Sequence, residues 1–196
     1  MIYPGAMSDV PSLLFVIGPP AVGKMTVGAE IARRTGYRLL HNHMTIEPLL
    51  RLFPYDSPQF ARLNVEFRIR ILEEAADSDL PGLVFSYLWA FDEPEDAVAV
   101  EQYARPFRDR GARIFYLELA AEQETRLHRN VQDSRLAEKP SKQDLTWSHQ
   151  HVLELDARHK MNSTHEFAGR ADHLLIDNTR LTPEAVAERA VAHFGL

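Results

Sequence analysis

An α/β fold is predicted, with a mostly parallel sheet covered on both faces by helices, from three observations. Five short apolar runs recur along the chain, stretches of helical period separate them, and each intervening stretch is long enough for a crossover helix. The composition agrees: 196 residues, 45% hydrophobic and 26% charged. Those are the proportions of one globular domain, which at this size buries roughly 70% of its unfolded surface. The chain has no cysteine, which removes disulfides, thiolate nucleophiles and cysteine-held zinc.

In order, the strand candidates span 13–17, 37–41, 83–88, 113–119 and 173–176. Helical patterns occupy 24–34, 45–77 with a break near 54–57, 94–110, and the chain from Glu122 onward. Local punctuation supports these boundaries. Gly36 suits the left-handed position after a first helix, Ser57-Pro58 reads as a cap followed by a first-turn proline, and Gly111 ends another helix. Thr182-Pro183-Glu184 reads as cap, proline and early acid of a last helix. Between 122 and 169 no strand pattern appears, and the basic residues Arg126, Arg129, Arg135, Lys139 and Lys142 gather there as an inserted helical flap.

Residues 1–11 read as an extended tail, with Met7 as an alternative start, ahead of a single domain over 12–196. The tail lacks the basic start and apolar run of a secretory signal. The longest apolar stretch, 83–91, is interrupted by Ser86 and falls short of the roughly 18–20 residues of a membrane span. The expectation is a cytoplasmic chain without a membrane segment. A net charge of −6 argues against coating an extended nucleic acid and leaves room for a local basic cluster that handles a small anion.

The motif that carries chemistry follows the first strand: Gly18-Pro19-Pro20-Ala21-Val22-Gly23-Lys24-Met25-Thr26. Two glycines at this spacing let the backbone curl so that successive N–H groups converge on a phosphate. The next helix adds its positive N-terminal end, and Lys24 reaches the outer phosphates. The alternative is a Gly-Pro turn followed by a solvated lysine. On this loop, the strand rhythm, the basic flap and the closing Ile176-Asp177-Asn178-Thr179, the sequence resembles the P-loop NTPase superfamily. Within it the resemblance is to the compact small-molecule kinases: shikimate kinase-like, gluconate kinase-like, chloramphenicol phosphotransferase-like and nucleoside monophosphate kinase-like proteins. It implies a three-layer P-loop fold with five parallel strands in the order 2-3-1-4-5 and a helical lid at about 122–169. It also implies ATP as donor with Mg²⁺. Gly18, Pro20, Ala21, Val22, Gly23, Lys24, Met25 and Thr26 would hold the nucleotide, with Asn178 beside the adenine.

Met25 departs from the pattern, because the resembled loops offer a Ser or Thr hydroxyl to Mg²⁺ at that position and a thioether cannot replace it. Thr26 lies about 100° further round the helix. Either Mg²⁺ is held by ATP oxygens, waters and another side chain, or the loop binds nucleotide without turning it over.

In open α/β sheets ligands sit beyond the carboxyl ends of the strands, so His41, Asn42 and His43 after the second strand are candidate substrate-binding residues. If the extension persisted, His41 and His43 would share one face and Asn42 the other. The resembled kinases often place an acceptor contact here, and several use an Asp as base. No Asp stands at this place in the chain, and a His or Glu47 would serve instead. A metal role for the His-x-His pair lacks a third ligand fixed by spacing.

The third strand ends in Asp92-Glu93, where Asp92 reads either as a catalytic metal or base residue or as a helix cap. Trp89 and Phe91 read as pocket floor or core. Arg129 and Arg135, with Arg126 less favoured, are candidate catalytic arginines that neutralise charge on a transferring phosphoryl group. Their alternative is a solvated face paired with Glu122 and Glu124. His149, His151 and His159 read as surface or packing residues. The functional expectation is an ATP-dependent phosphotransferase acting on a hydroxyl or phosphate of a small metabolite. Its competitor is a nucleotide-binding module or slow NTPase.

Overall fold

The computed structural model describes residues 10–130 and 145–196. Five strands form one parallel sheet: β1 (Ser12–Ile17), β2 (Arg38–His41), β3 (Gly82–Ser86), β4 (Ile114–Ala120) and β5 (His173–Asp177), in the order β2-β3-β1-β4-β5. Seven helices connect them among the described residues: α1 (Lys24–Thr35), α2 (His43–Leu50), α3 (Pro58–Ala76), α4 (Pro94–Arg108), α5 (Gln123–Asn130), α6 (Leu145–Arg158) and α7 (Pro183–Phe194).

Central β1 is buried along its whole length, and its alternation divides the core. Leu13, Phe15 and Ile17 pack with Leu72 of α3 and with Val100, Tyr103 and Phe107 of α4. Leu14 and Val16 pack with Val27 and Ile31 of α1 and with Val186, Ala187 and Ala190 of α7. A strand covered on both faces in this way reads as a continuous apolar run rather than an alternating one, as Leu13 to Ile17 do after buried Ser12. Phe15 stacks on Tyr116 with ring centroids 5.2 Å apart, and truncating such a ring costs about 3–5 kcal/mol.

The caps follow the sequence. Ser57 accepts from the Phe60 N–H and Thr182 from the Ala185 N–H, each ahead of a first-turn proline, and Gly36 ends α1 in the left-handed conformation. The end of β3 differs from the expected one. β3 stops at Ser86, two residues earlier than the apolar run predicts, because Asp96 turns the chain: its carboxylate accepts from the Tyr87 hydroxyl and the Ala90 N–H at 3.0 and 2.7 Å. β2 ends at His41 and α2 begins at His43, so the strand does not extend through the His-Asn-His run.

Register brings the carboxyl ends together: His41 of β2 and Val16 of β1 both lie opposite Ser86, and Ala120 of β4 lies opposite Asp177 of β5. Beyond α6 the chain returns to β5 as a coil anchored on Glu118. This carboxylate is fully buried in β4 and accepts from Asn162, from the Ser163 N–H and hydroxyl, and from His173 at 2.6–2.8 Å.

Candidate active site

Backbone conformation shapes the loop after β1. Gly18 has φ +132, and a Cβ there would lie 2.3 Å from the Leu119 carbonyl oxygen, so only glycine lets the loop cross β4 this closely. Gly23, at φ +107, caps α1 without a side chain, and Val27 N–H closes the first turn on its carbonyl. The first-turn amides of a helix have no intrahelical acceptor, and here they open on a cavity of about 590 Å³. Lys24 lies over the loop, its ammonium donating to the Gly18 and Pro19 carbonyls at 2.5 and 2.7 Å.

Pro20, Ala21, Val22, Gly23, Lys24, Met25 and Thr26 line that cavity, as do His41, Asn42, His43, Arg129 and Asn178. Sequence-distant candidates thus meet around one space at the carboxyl edge of the sheet. Gly18 shapes the loop from behind and does not line the cavity. Because the strand stops at His41, all three residues of the His-Asn-His run reach the cavity, in place of the alternation expected of an extended segment. The Asn42 Oδ1 is buried and has no hydrogen-bond partner among the described residues. His43, the first residue of α2, holds its Nδ1 2.8 Å from the Glu47 carboxylate one turn on.

Arg129 joins α5 to both walls. Its guanidinium donates to the Val22 carbonyl at 3.2 Å, to the Asn178 side chain and carbonyl at 3.2 and 2.9 Å, and to the Thr179 carbonyl at 3.4 Å. Burial pulls its pKa below the usual arginine value. Asn178 is itself buried and donates to the Val22 carbonyl at 2.9 Å. Arg126 does not line the cavity: it is 5% exposed, forks onto Asp156 of α6 at 3.0 and 2.5 Å, and donates to the Pro20 carbonyl. It ties α5, α6 and the loop together. Arg135 lies outside the described residues.

Asp92 is absent from the cavity wall. Its Oδ1 accepts from the Lys160 N–H at 2.8 Å, a bond that holds its pKa below the usual carboxylate value, and its other oxygen faces His159 at 3.7 Å. Nor is it the cap of α4, a place taken by Glu93. The geometry therefore leaves Asp92 tethering the turn after β3 to the end of α6. Trp89 and Phe91 stack on one another and meet Phe167 edge-on, as core.

Sequence reasoning missed the α6 wall. Ser148, His151, Val152 and Leu155 face the cavity at i, i+3, i+4 and i+7, the spacing of one helical face, so the signal was present in the sequence. His151, read from sequence as a surface or packing residue, lines the cavity. Among the described residues no carboxylate lines the cavity; its side-chain hydroxyls are those of Thr26, Tyr55, Ser86 and Ser148. A hard divalent cation takes oxygen ligands, carboxylates foremost, so this donor set and the Met25 thioether do not fit a protein-held Mg²⁺.

No family model matches the chain, and no curated protein is similar to it in sequence. Its fold, however, is shared with solved kinases. A gluconokinase from Sinorhizobium meliloti 1021 superimposes with a TM-score of 0.56 at 14% identity, over 95% of this chain and 93% of that one. A shikimate kinase from Acinetobacter baumannii, solved with shikimate, gives 0.55 at 16% identity, over 95% and 94%. The APS kinase of Mycobacterium tuberculosis, solved with AMPPNP and APS, gives 0.56 at 11% identity, over 96% and 99%. The chain thus has the three-layer fold of the P-loop small-molecule kinases. Among the described residues no helix is long and apolar enough to cross a membrane.

Proposed function

We propose that this chain is a cytoplasmic phosphotransferase that moves the γ-phosphoryl group of ATP to a hydroxyl or phosphate of a small metabolite. One observation carries the reading: the phosphate cradle of residues 20–26 and a polar rim of His41, Asn42 and His43 open on a single cavity, so donor and acceptor can be held in line. The loop amides and the α1 terminus would cradle the triphosphate, with Lys24 exchanging its two loop carbonyls for phosphate oxygens. Asn178 and Arg129 would border the nucleoside side. Helices α5 and α6 act as the lid, and the apolar α6 residues Val152 and Leu155 exclude water. No step is assigned to a protein-held metal, and Mg²⁺ enters with its nucleotide.

The test is thermal unfolding with ATP, GTP and ADP, with and without Mg²⁺, followed by a phosphate-transfer screen over sugars, nucleosides, nucleotides and hydroxy acids. A ligand at one hundred times its Kd adds about 2.7 kcal/mol, which raises the melting temperature by roughly 5–10 °C in a chain of this size. Lys24→Ala is expected to lose both that shift and the transfer. A Lys24→Ala protein with unchanged kinetics would remove the loop from the mechanism. The Met25 loop and a cavity wall without a carboxylate among the described residues favour a second reading, a nucleotide-binding module or slow NTPase, and stabilisation by ATP with no phosphorylated acceptor would select it.

A further inference from the structure

We propose that Asp92, Glu93 and His159 form a site for a divalent transition-metal ion, with Zn²⁺ the best-matched ion, that fastens the end of α6 to the turn between β3 and α4. None of the three lines the cavity, so the site is independent of the phosphotransfer reading. One oxygen of each carboxylate and one nitrogen of the imidazole lie within 4.8 Å of one another. The His159 Nδ1 is 3.3 Å from the Glu93 Oε1 and 3.7 Å from the Asp92 Oδ2.

Three observations favour a bridging ion over a plain ion pair. Nδ1 is buried and makes no hydrogen bond among the described residues, although two acceptors face it. A buried polar atom without a partner is rare in native structures, and its lone pair is what a metal ion would take. The spacing agrees. Zn²⁺ holds imidazole nitrogen at about 2.0–2.1 Å and carboxylate oxygen at about 2.0–2.2 Å, so two such ligands on a tetrahedral centre stand roughly 3.3–3.5 Å apart. The two contacts lie within about 0.2 Å of that separation, whereas a charge-assisted N–H···O bond is about 2.7–2.9 Å long. Charge points the same way. Among the described residues no lysine or arginine pairs with either carboxylate, and the ammonium of nearby Lys160 is engaged by Glu166 at 2.7 Å and Thr164 at 2.6 Å. Two carboxylates beside a neutral imidazole lack a counter-charge, which a dication supplies. The positive end of α4, capped by Glu93, is only a partial charge.

Backbone bonds already position the ligands. Phe91 N–H donates to the Lys160 carbonyl and Lys160 N–H to the Asp92 Oδ1, each at 2.8 Å. With Oδ1 engaged, Oδ2 is the oxygen turned to the imidazole, and an outer bond of this kind orients a ligating carboxylate. The donor set selects the ion: hard Mg²⁺ and Ca²⁺ take oxygen ligands, while imidazole with carboxylates suits Zn²⁺. The side chains of His159, Asp92 and Glu93 are 24%, 39% and 47% exposed, which leaves a fourth position open to water. Because Ser148, His151, Val152 and Leu155 of α6 line the cavity, an ion at the end of this helix restrains the wall it forms.

The experiment takes the full chain stripped with EDTA and titrates it with ZnCl₂, with CoCl₂ as a spectroscopic probe and MgCl₂ as the oxygen-preferring comparison. The variants are Asp92→Asn, Glu93→Gln and His159→Gln, with exposed His193→Gln as the control for histidines elsewhere. Asp92→Asn keeps an acceptor for the Lys160 N–H, so it separates ion binding from the tether. In the wild type, Zn²⁺ at one hundred times its Kd is expected to raise the melting temperature by roughly 5–10 °C. Co²⁺ should give the visible absorption of a four-coordinate centre, and Mg²⁺ should do neither. Each of the three ligand variants should weaken Zn²⁺ binding at least about tenfold and lose the Co²⁺ absorption, while His193→Gln matches the wild type. Melting without added metal reports whether each variant is folded, and if one is not, the other two decide. No Zn²⁺-induced shift in the wild type, equal Zn²⁺ binding by the wild type and the ligand variants, or a larger response to Mg²⁺ than to Zn²⁺ each overturns the proposal.

Discussion

Replacing Gly18 by alanine tests whether the cradle depends on how closely the loop crosses β4. The added Cβ would sit 2.3 Å from the Leu119 carbonyl oxygen, whereas packed carbon atoms prefer about 3.5 Å or more, so loop and strand must separate by about 1 Å. The backbone at φ +132 adds strain of about 1–3 kcal/mol for a residue with a side chain. Overpacking against fixed backbone adds a similar ~1–3 kcal/mol. Together these lower the melting temperature by roughly 5–20 °C at 2–4 °C per kcal/mol. Gly111→Ala is the control, since φ is +73 there and nothing lies within 4 Å of the new Cβ; only the strain of about 1–2 kcal/mol remains. Thermal unfolding of both variants, followed by circular dichroism, makes the comparison. If Gly18→Ala melts within 2 °C of Gly111→Ala, near its ~4 °C strain-only shift, the close approach is not what shapes the loop.

Three further outcomes are expected. Met25→Ser should raise the transfer rate or its Mg²⁺ dependence, read from steady-state kinetics against Mg²⁺ concentration, if a missing hydroxyl limits turnover. Asp156→Ala strands the guanidinium of Arg126, itself 5% exposed, and should cost about 3–5 kcal/mol in urea unfolding; a loss under 1 kcal/mol would show that α5 and α6 are held by other contacts. Burial pushes the Glu118 pKa up, but hydrogen bonds from His173, Ser163 and Asn162 together outweigh it and hold the group below its ordinary value. A depressed folded pKa gives stability that is present above the unfolded value of about 4.3 and is lost as pH falls through the folded one. Unfolding of Glu118→Gln between pH 2 and 7 should therefore show a smaller acid-range loss of stability than that of the wild type.

Local signals explain how far the residues could be read. Sheet and strand positions follow from apolar runs that burial on two faces requires, and the caps at Ser57, Thr182 and Gly36 follow from backbone chemistry confined to a few neighbours. The course of the loop over residues 18–26 was legible for the same reason, since its two glycines take the positive φ values that their spacing suggests. Asp92 could not be placed from sequence, because an acid at the end of an apolar run looks the same whether it faces a cavity or a backbone N–H of a distant turn; in the structure its Oδ1 accepts from the Lys160 N–H. The α6 wall carried a readable period, but nothing in the period says which surface the face covers.

The chain alone determined the alternation of strands and helices and the glycine-bounded loop after β1, both products of interactions spanning a handful of residues. The tertiary structure alone decided that His43 meets the cavity from a helix with Glu47 one turn on, that Arg126 pairs with Asp156, and that His151 lines the cavity. These depend on where β2 stops and on how α6 lies over the sheet edge, and long-range packing sets both.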